Sequence, residues 1–311
     1  MKSRLGARIA RLLWRIYFGI GERVTSSPLW RWGIGRQDLG RLLDGLVRRI
    51  LPAPSTREVE LTLFNDCTMV FPPRYQDFQL YEGGTYQPAT ERGTTRVILE
   101  RIRQGMCVVD VGAHLGFYTH LASKLVGPSG RVYAFEPDPH HFPYLLRNIR
   151  RNGCDNVVAE RLAISDRSGQ SVFFSQPGSA GSSLYDSGGG RTDATIVDTI
   201  TLDGYLAREG WPSVDLVKMD IEGGEKAALE GMVQLSQRNA KLKLIFEVEL
   251  RSMRASNVTA EELLIFVRRL GFQKFYAVGE VLEPIQVPDD IPVLLSKARQ
   301  YLSVNVLCEK E

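Results

Sequence analysis

Residues 106–116 read Met106-Cys107-Val108-Val109-Asp110-Val111-Gly112-Ala113-His114-Leu115-Gly116, and this stretch decides the fold. A short apolar run, Cys107 to Val111, carries one carboxylate, Asp110, and then breaks at Gly112 and Gly116. Helical spacing resumes at once with Phe117, Leu121 and Leu125. A buried strand, a glycine turn and a helix make up the unit with which α/β proteins hold nucleotide-like ligands. The glycines alone do not choose the ligand. A dinucleotide fingerprint, G-x-G-x-x-G, uses its second glycine to bring backbone against a pyrophosphate. Here the spacing is Asp110-x-Gly112-x-x-x-Gly116, with no third glycine in place and an acid inside the strand. That acid would repel a pyrophosphate but not an ammonium or a sulfonium.

Downstream, strands and helices alternate. Gly127-Pro128-Ser129-Gly130 is a turn, and Arg131 to Phe135 is a strand ending in Glu136-Pro137-Asp138. A helix from about Pro139 to Asn152 stops at Gly153, and a third strand spans Val157 to Arg161, leading to Ala163-Ile164-Ser165-Asp166. Residues 175–194 are rich in Gly and Ser, including Gly188-Gly189-Gly190, and read as one long loop. Thr195 to Thr201 is strand-like, and Leu202 to Glu209 is a short helix. Val214 to Met219 is a strand ending in Asp220-Ile221-Glu222-Gly223-Gly224-Glu225, with a helix starting near Glu225. Leu242 to Phe246 is a further buried strand ending in Glu247, and Thr259-x-x-Glu262 is a capping box opening a helix to Leu270. Phe272 to Val278 and Tyr301 to Leu307 close the chain as strands. This alternation predicts a mostly parallel sheet covered on both faces.

Upstream, Val59 to Leu63 alternates like a half-exposed strand, followed by the aromatic stretch Phe71, Tyr75, Phe78 and Tyr81 and a helix from Thr90 to Gln104. It reads either as an accessory hairpin or as one wall of a site. Residues 1–58 form a basic extension ahead of the body at 59–311. Residues 1–60 hold 12 Lys and Arg against 5 Asp and Glu, whereas the remaining 251 hold 27 against 31. In residues 4–20 the apolar positions fall at helical spacing, with Arg4, Arg8, Arg11 and Arg15 on another face and Trp14 near the boundary. Such a helix packs on protein or lies on an anionic membrane surface. A second helix is expected over Gln37 to Ile50. The four cysteines lack CxxC spacing, so neither a disulfide framework nor a zinc site is expected, and a reducing compartment fits. No stretch approaches the ~20 apolar residues of a membrane span, and no secretory leader is apparent. The expected location is cytoplasmic, with peripheral contact at the inner membrane surface as the alternative use of residues 4–20.

Acids recur where open α/β sheets bind ligands, beyond the carboxyl ends of strands. Asp110, Glu136, Asp166, Asp220 and Glu247 each follow or close a strand. Any one of them is accounted for by helix capping or solvation, but five at corresponding places would line one edge. His120, His140 and His141 are read as surface or helix-packing residues.

Three linked stretches carry a resemblance: VVDVGAHLGFYTHLASKLVG at 108–127, GRVYAFEPDPHHFPYLLRNIRRN at 130–152 and VDLVKMDIEGGEKAALEGM at 214–232. Over roughly residues 80–250 the chain resembles the FkbM family of S-adenosylmethionine-dependent methyltransferases. The resemblance implies a class I, Rossmann-like fold with a seven-stranded mostly parallel sheet. It implies S-adenosylmethionine across the first strands and methyl transfer to a hydroxyl of a saccharide or polyketide-type molecule. Asp110, Gly112 and Gly116 then match the loop beside the methionine part, and His114 makes a backbone or water contact. Glu136 matches the acid that pairs with the ribose hydroxyls, while Ser165 and Asp166 fall beside adenine. Asp220 faces the place of methyl delivery. A base near the acceptor proton helps by about 10²–10⁴-fold, and that role falls to Asp220 or Glu222, with Lys218 orienting the pair. One departure is Tyr86-Gln87-Pro88, where the family usually has Tyr-Glu-Pro; Gln87 is no base, and Glu91 is nearby. Asp220, Glu222 and Glu247 are suitable ligand types for magnesium, but no metal is expected. Two rival readings are a membrane-docked binding module without turnover and a nicotinamide-dependent oxidoreductase. A nucleic-acid substrate is disfavoured by the turn Asp220-Ile221-Glu222-Gly223 and the acidic body.

Overall fold

The computed structural model describes residues 57–63, 67–73, 89–175, 181–186, 193–301 and 303–310. The helices expected at 4–20 and 37–50, the aromatic positions 75, 78 and 81, the 86–88 turn and the 188–190 glycines lie outside these residues, as does the side chain of Glu91. Val59–Glu311 forms one compact unit.

Its strands are β1 (Val59–Thr62), β2 (Thr68–Phe71), β3 (Cys107–Val111), β4 (Arg131–Phe135), β5 (Val157–Glu160), β6 (Ala163–Ile164), β7 (Gly169–Ser175), β8 (Asp193–Ile200), β9 (Leu216–Met219), β10 (Lys243–Glu249), β11 (Lys274–Val278), β12 (Leu282–Ile285) and β13 (Ser303–Glu309). The helices are α1 (Ala89–Arg101), α2 (Phe117–Val126), α3 (Phe142–Arg151), α4 (Leu202–Arg208), α5 (Glu225–Glu230), α6 (Val233–Arg238), α7 (Leu250–Ala255), α8 (Ala260–Arg269) and α9 (Ile291–Tyr301).

The main sheet runs β5-β4-β3-β9-β10-β13-β11-β12. Strands β5, β4, β3, β9 and β10 are mutually parallel, and β13 is antiparallel to both β10 and β11. Leaving out the edge strand and counting the others in chain order gives 3-2-1-4-5-7-6, the class I methyltransferase topology. The sheet thus has eight strands where seven were expected. Strand β12 pairs antiparallel with β11 through the Gly279 turn and extends the edge. Its Leu-Glu-Pro-Ile sequence is too short and too broken by proline to announce a strand.

The alternation within each strand explains the two cores. Val109 and Val111 of β3 join Val217 and Met219 of β9 on one face, beneath α4, α5 and α8. Val108 and Leu216 join Phe117, Tyr118 and Leu121 on the other, beneath α2. A period of two then fixes where two charged residues must go. Asp110 and Lys218 follow Val108 and Leu216 on the α2 face, and the β3–β9 register sets them side by side.

The expected 175–194 loop is corrected. Ser175 closes β7 and Asp193 opens β8, so both ends of that segment belong to an antiparallel hairpin that joins β6 in a three-stranded sheet. Phe173 and Val197 cover its inner face, and Val172 and Ile196 are exposed on the outer one. Glycine and serine content hid the strand alternation. Helix α9 was likewise missed, whereas the capping box at Thr259 and Glu262 forms as expected.

Candidate active site

The order of the parallel strands reverses between β3 and β9, and a cleft opens there beyond their carboxyl ends. Two loops cross at its floor. Gly112, at φ 79°, sits so close beneath the β9 loop that a Cβ would lie 2.0 Å from the Asp220 carbonyl oxygen. Its N–H and that of Ala113 both donate to the carbonyl of Phe135. The first motif glycine is thus required by one backbone passing under another. Gly116, at φ 97°, leads into α2, whose first turn brings Phe117 and Tyr118 to the cleft.

One wall is built on the end of β4. Glu136 is 5% exposed; its Oε2 accepts the His114 N–H at 2.7 Å and its Oε1 accepts the Asp138 N–H at 2.8 Å. Burial pushes its carboxyl up to about 8, against the pull of those two N–H groups. His114, at φ 55°, packs its ring edge-on against His141 at 4.4 Å, and burial holds its imidazole well below the usual histidine range. Leu162, Ala163, Ile164, Phe173 and Leu184 supply an apolar side to the same cleft.

The opposite wall is the turn after β9. Lys218, 6% exposed, has its Nζ 3.3 Å from Asp220 Oδ2 and 3.9 Å from Asp110 Oδ1. It also lies 4.9 Å from the centre of the Tyr118 ring. Asp110 is buried under α2, with its Oδ2 accepting the Thr119 hydroxyl at 2.6 Å. Burial raises its carboxyl, while Lys218 and Thr119 oppose that shift. Asp110 therefore faces Lys218 rather than lining the cleft, and the expected repulsion of a pyrophosphate does not follow from it. Glu222, at φ 54°, accepts the Ser252 hydroxyl at 2.8 Å. Glu225 holds the turn itself. It is 3% exposed, accepts the N–H groups of Ile221 and Gly223 at 3.1 and 3.0 Å, and is pushed up to about 8 by burial.

Of the residues singled out in the sequence, Gly112, His114, Glu136, Lys218, Asp220, Glu222 and Glu247 line this one cleft. Gly116 shapes its helix entry. Ser165 and Asp166 stand just beyond it, with the Ser165 hydroxyl donating to Asp166 at 3.0 Å, and the lining at that point is Leu162 to Ile164. Carboxylate oxygens of Asp220, Glu222 and Glu247 lie within 4.8 Å of one another, with all three residues half-buried. Sequence reasoning missed His141, which is 1% exposed and lines the cleft. Its place three residues after Asp138, at the N-cap of α3, was the available signal. It also missed Ser182 and Ser183, whose hydroxyls donate to Asp138 Oδ2 at 2.8 Å and to the Glu222 carbonyl at 2.6 Å, so their segment ties to both walls. His120 is a packing residue, buried against Cys154 with its Nδ1 3.3 Å from the thiol sulfur, and burial lowers its imidazole to about 4. His140 is exposed.

Residues 110–274, more than half of the chain, match the family model of the methyltransferase FkbM domain. The chain belongs to that family. Among curated relatives, the hexuronic acid methyltransferase AglP of Haloferax volcanii is 30% identical over 148 residues, 47% of this chain and 58% of the relative. The 2-O-methyltransferase NoeI of Sinorhizobium fredii is 27% identical over 139 residues, 40% of this chain and 56% of the relative. The chain thus spans a little over half the length of the curated relatives it matches. Among solved structures, an S-adenosylmethionine-dependent O-methyltransferase from Thermotoga maritima aligns with a TM-score of 0.41 at 12% identity, covering 86% of this chain and 81% of that one. The matched range takes in the three stretches from Asp110 onward and every residue that lines the cleft. Among the described residues no helix is long and apolar enough to cross a membrane.

Proposed function

We propose that this FkbM-family chain is an S-adenosylmethionine-dependent O-methyltransferase acting on a hydroxyl of a saccharide. One observation carries the reading. A single cleft at the switch point of a 3-2-1-4-5-7-6 sheet holds the Glu136 carboxylate on one wall and the Lys218–Asp220 pair on the other. The hexuronic acid in one relative's name supports the saccharide and the 2-O-methyltransferase name of another supports transfer to oxygen, with a polyketide-type hydroxyl as the neighbouring class.

The cleft fits the cofactor chemically. Glu136 offers acceptor oxygens for ribose hydroxyls, the Leu162–Ile164 side with Phe173 and Leu184 offers apolar surface for a purine, and the first turn of α2 presents the positive end of a helix dipole to a carboxylate. When bound, S-adenosylmethionine supplies a methyl group on a positively charged sulfur. The chain's residues do the rest. Asp220 would take the proton that the acceptor hydroxyl gives up, and Lys218 would hold that carboxylate in place. Glu225 fixes the turn that presents Asp220 and Glu222, and Phe117 and Tyr118 keep water from the reacting end. Positioning of this kind is the protein's main contribution to such a displacement.

Incubation with methyl-labelled cofactor and a panel of glycans tests the proposal. Label in an alkali-stable ether on a sugar is expected. Tight cofactor binding with no acceptor labelled would favour the binding module, and binding of a nicotinamide dinucleotide instead would favour the oxidoreductase. Near-normal turnover in both Asp220→Asn and Glu222→Gln at saturating cofactor would remove the assigned base. The basic pattern of residues 4–20 supports peripheral membrane contact. Deletion of residues 1–50 should then spare cofactor binding and abolish pelleting with anionic liposomes.

A further inference from the structure

The β4 wall contains a buried acid–imidazole pair that the functions assigned so far leave unused. Asp138, fully buried, takes the His140 N–H on Oδ1 at 2.8 Å and the Ser182 hydroxyl on Oδ2 at 2.8 Å, and the same Oδ2 faces His141 Nδ1 at 3.4 Å. A carboxylate only accepts, so the nitrogen that faces it carries the proton. Burial lowers the His141 imidazole, with Asp138 opposing, and the ring is accordingly neutral. Its other nitrogen, Nε2, is then a bare acceptor. That atom is buried and has no hydrogen-bond partner among the described residues, although the ring itself lines the cleft. A buried polar atom without a partner costs about 1–3 kcal/mol, so its retention in a site wall points to a partner that arrives with the ligand.

The surroundings say which partner. The Asp138 backbone N–H donates to Glu136 Oε1, so Glu136, Asp138 and His141 form one connected unit. Both Glu136 oxygens already hold a backbone N–H each. A nucleoside ribose brings two hydroxyl donors to this place, and an acceptor nitrogen next to a partly committed carboxylate complements a diol. We propose that His141 is a second ribose-binding residue, its Nε2 accepting a hydrogen bond from one ribose hydroxyl of the bound nucleoside while Glu136 accepts from the other. Asp138 is then a positioning residue, since it sets the tautomer of His141. The His114 ring, packed edge-on at 4.4 Å, is the group that gives way when the hydroxyl reaches Nε2. This inference rests on the nucleoside-cofactor reading of the cleft.

Calorimetric titration of the full chain with S-adenosylhomocysteine and with its 2′-deoxy and 3′-deoxy analogues tests it. His141→Phe should weaken S-adenosylhomocysteine about 3- to 10-fold, the range of one neutral hydrogen bond. It should leave one of the two deoxy analogues unaffected. His141→Gln, which keeps an acceptor at the same reach, should restore most of the affinity. An equal loss for all three nucleosides, or no loss, overturns the proposal. Should His141→Phe fold poorly, nitrogen-labelled histidine in the wild-type chain gives the answer. The Nε2 resonance should move on adding S-adenosylhomocysteine and stay still with the matching deoxy analogue, and a resonance indifferent to both overturns the proposal. Failure of the wild-type chain itself to bind S-adenosylhomocysteine would instead overturn the cofactor reading and this inference with it, and that titration alone separates the two failures.

Discussion

The two walls of the cleft are built on different principles. On the β4 side Glu136, Asp138 and His141 are 5%, 0% and 1% exposed, and they are linked to one another and to backbone N–H groups. On the β9 and β10 side Asp220, Glu222 and Glu247 are half-buried, and two of them sit on a turn with a left-handed residue at Glu222. A wall that holds one fixed ligand gains from being closed and preorganised, because nothing has to be ordered when the ligand binds. A wall that must admit a polar acceptor and release its product stays open. Under the proposed function binding falls to the first wall and chemistry to the second, and mutations on the two sides should separate accordingly.

The largest effect belongs to the open wall. Asp220→Asn should lower turnover about 10²–10⁴-fold, the range of a lost general base, while S-adenosylhomocysteine affinity by calorimetry stays within about threefold, since no cofactor contact is assigned to Asp220. A parallel collapse of affinity would break the division. Glu136→Gln should do the reverse. Leaving a buried donor without its acceptor costs about 1–3 kcal/mol, so cofactor affinity should fall about 10- to 100-fold with turnover largely recovered at saturation. Glu225→Gln sharpens the point that an acid in the motif acts on the fold. One of two buried N–H groups loses its acceptor, and urea denaturation should show a loss of about 1–3 kcal/mol.

A further effect is a pH slope. Glu136 and Glu225 both titrate near 8 in the folded chain, against 4.5 for an ordinary glutamate. Between those values the folded state keeps protons that the unfolded state has released. Stability is thus greatest below pH 4.5 with respect to these two groups and falls as pH rises towards 8. Thermal melts from pH 5 to 8 should fall with pH, and Glu136→Gln or Glu225→Gln should flatten the trend. An unchanged slope in both variants would mean that neither acid is held neutral by burial.

Much of the fold was legible because its signals are local. The run Cys107 to Val111, the glycine break and the helical spacing from Phe117 needed no tertiary information, and the same holds for Arg131 to Phe135 and the Thr259 capping box. What escaped is set by strand pairing. Strand β7 exists because β8 lies beside it, and β12 because β11 does. At the site, Glu136, Lys218 and Asp220 were found from their positions at strand ends, since topology alone carries such residues to one edge. Their duties were less legible. Asp110 was read as a charge facing the ligand, but the β3–β9 register turns it under α2 against Lys218. Gly112 was read as cofactor contact; it lines the cleft, and a Cβ there would also meet the Asp220 carbonyl. His141 was set aside as a packing residue because a lone histidine gives no hint that a buried aspartate three positions earlier stands behind it.

The most direct test of the central claim is a crystal structure of the chain with S-adenosylhomocysteine. The account predicts the nucleoside in the β3–β9 cleft, its ribose hydroxyls on Glu136 and the sulfur turned towards the Lys218–Asp220 pair. A nucleoside lodged outside that cleft, or a sulfur turned away from Asp220, would contradict it.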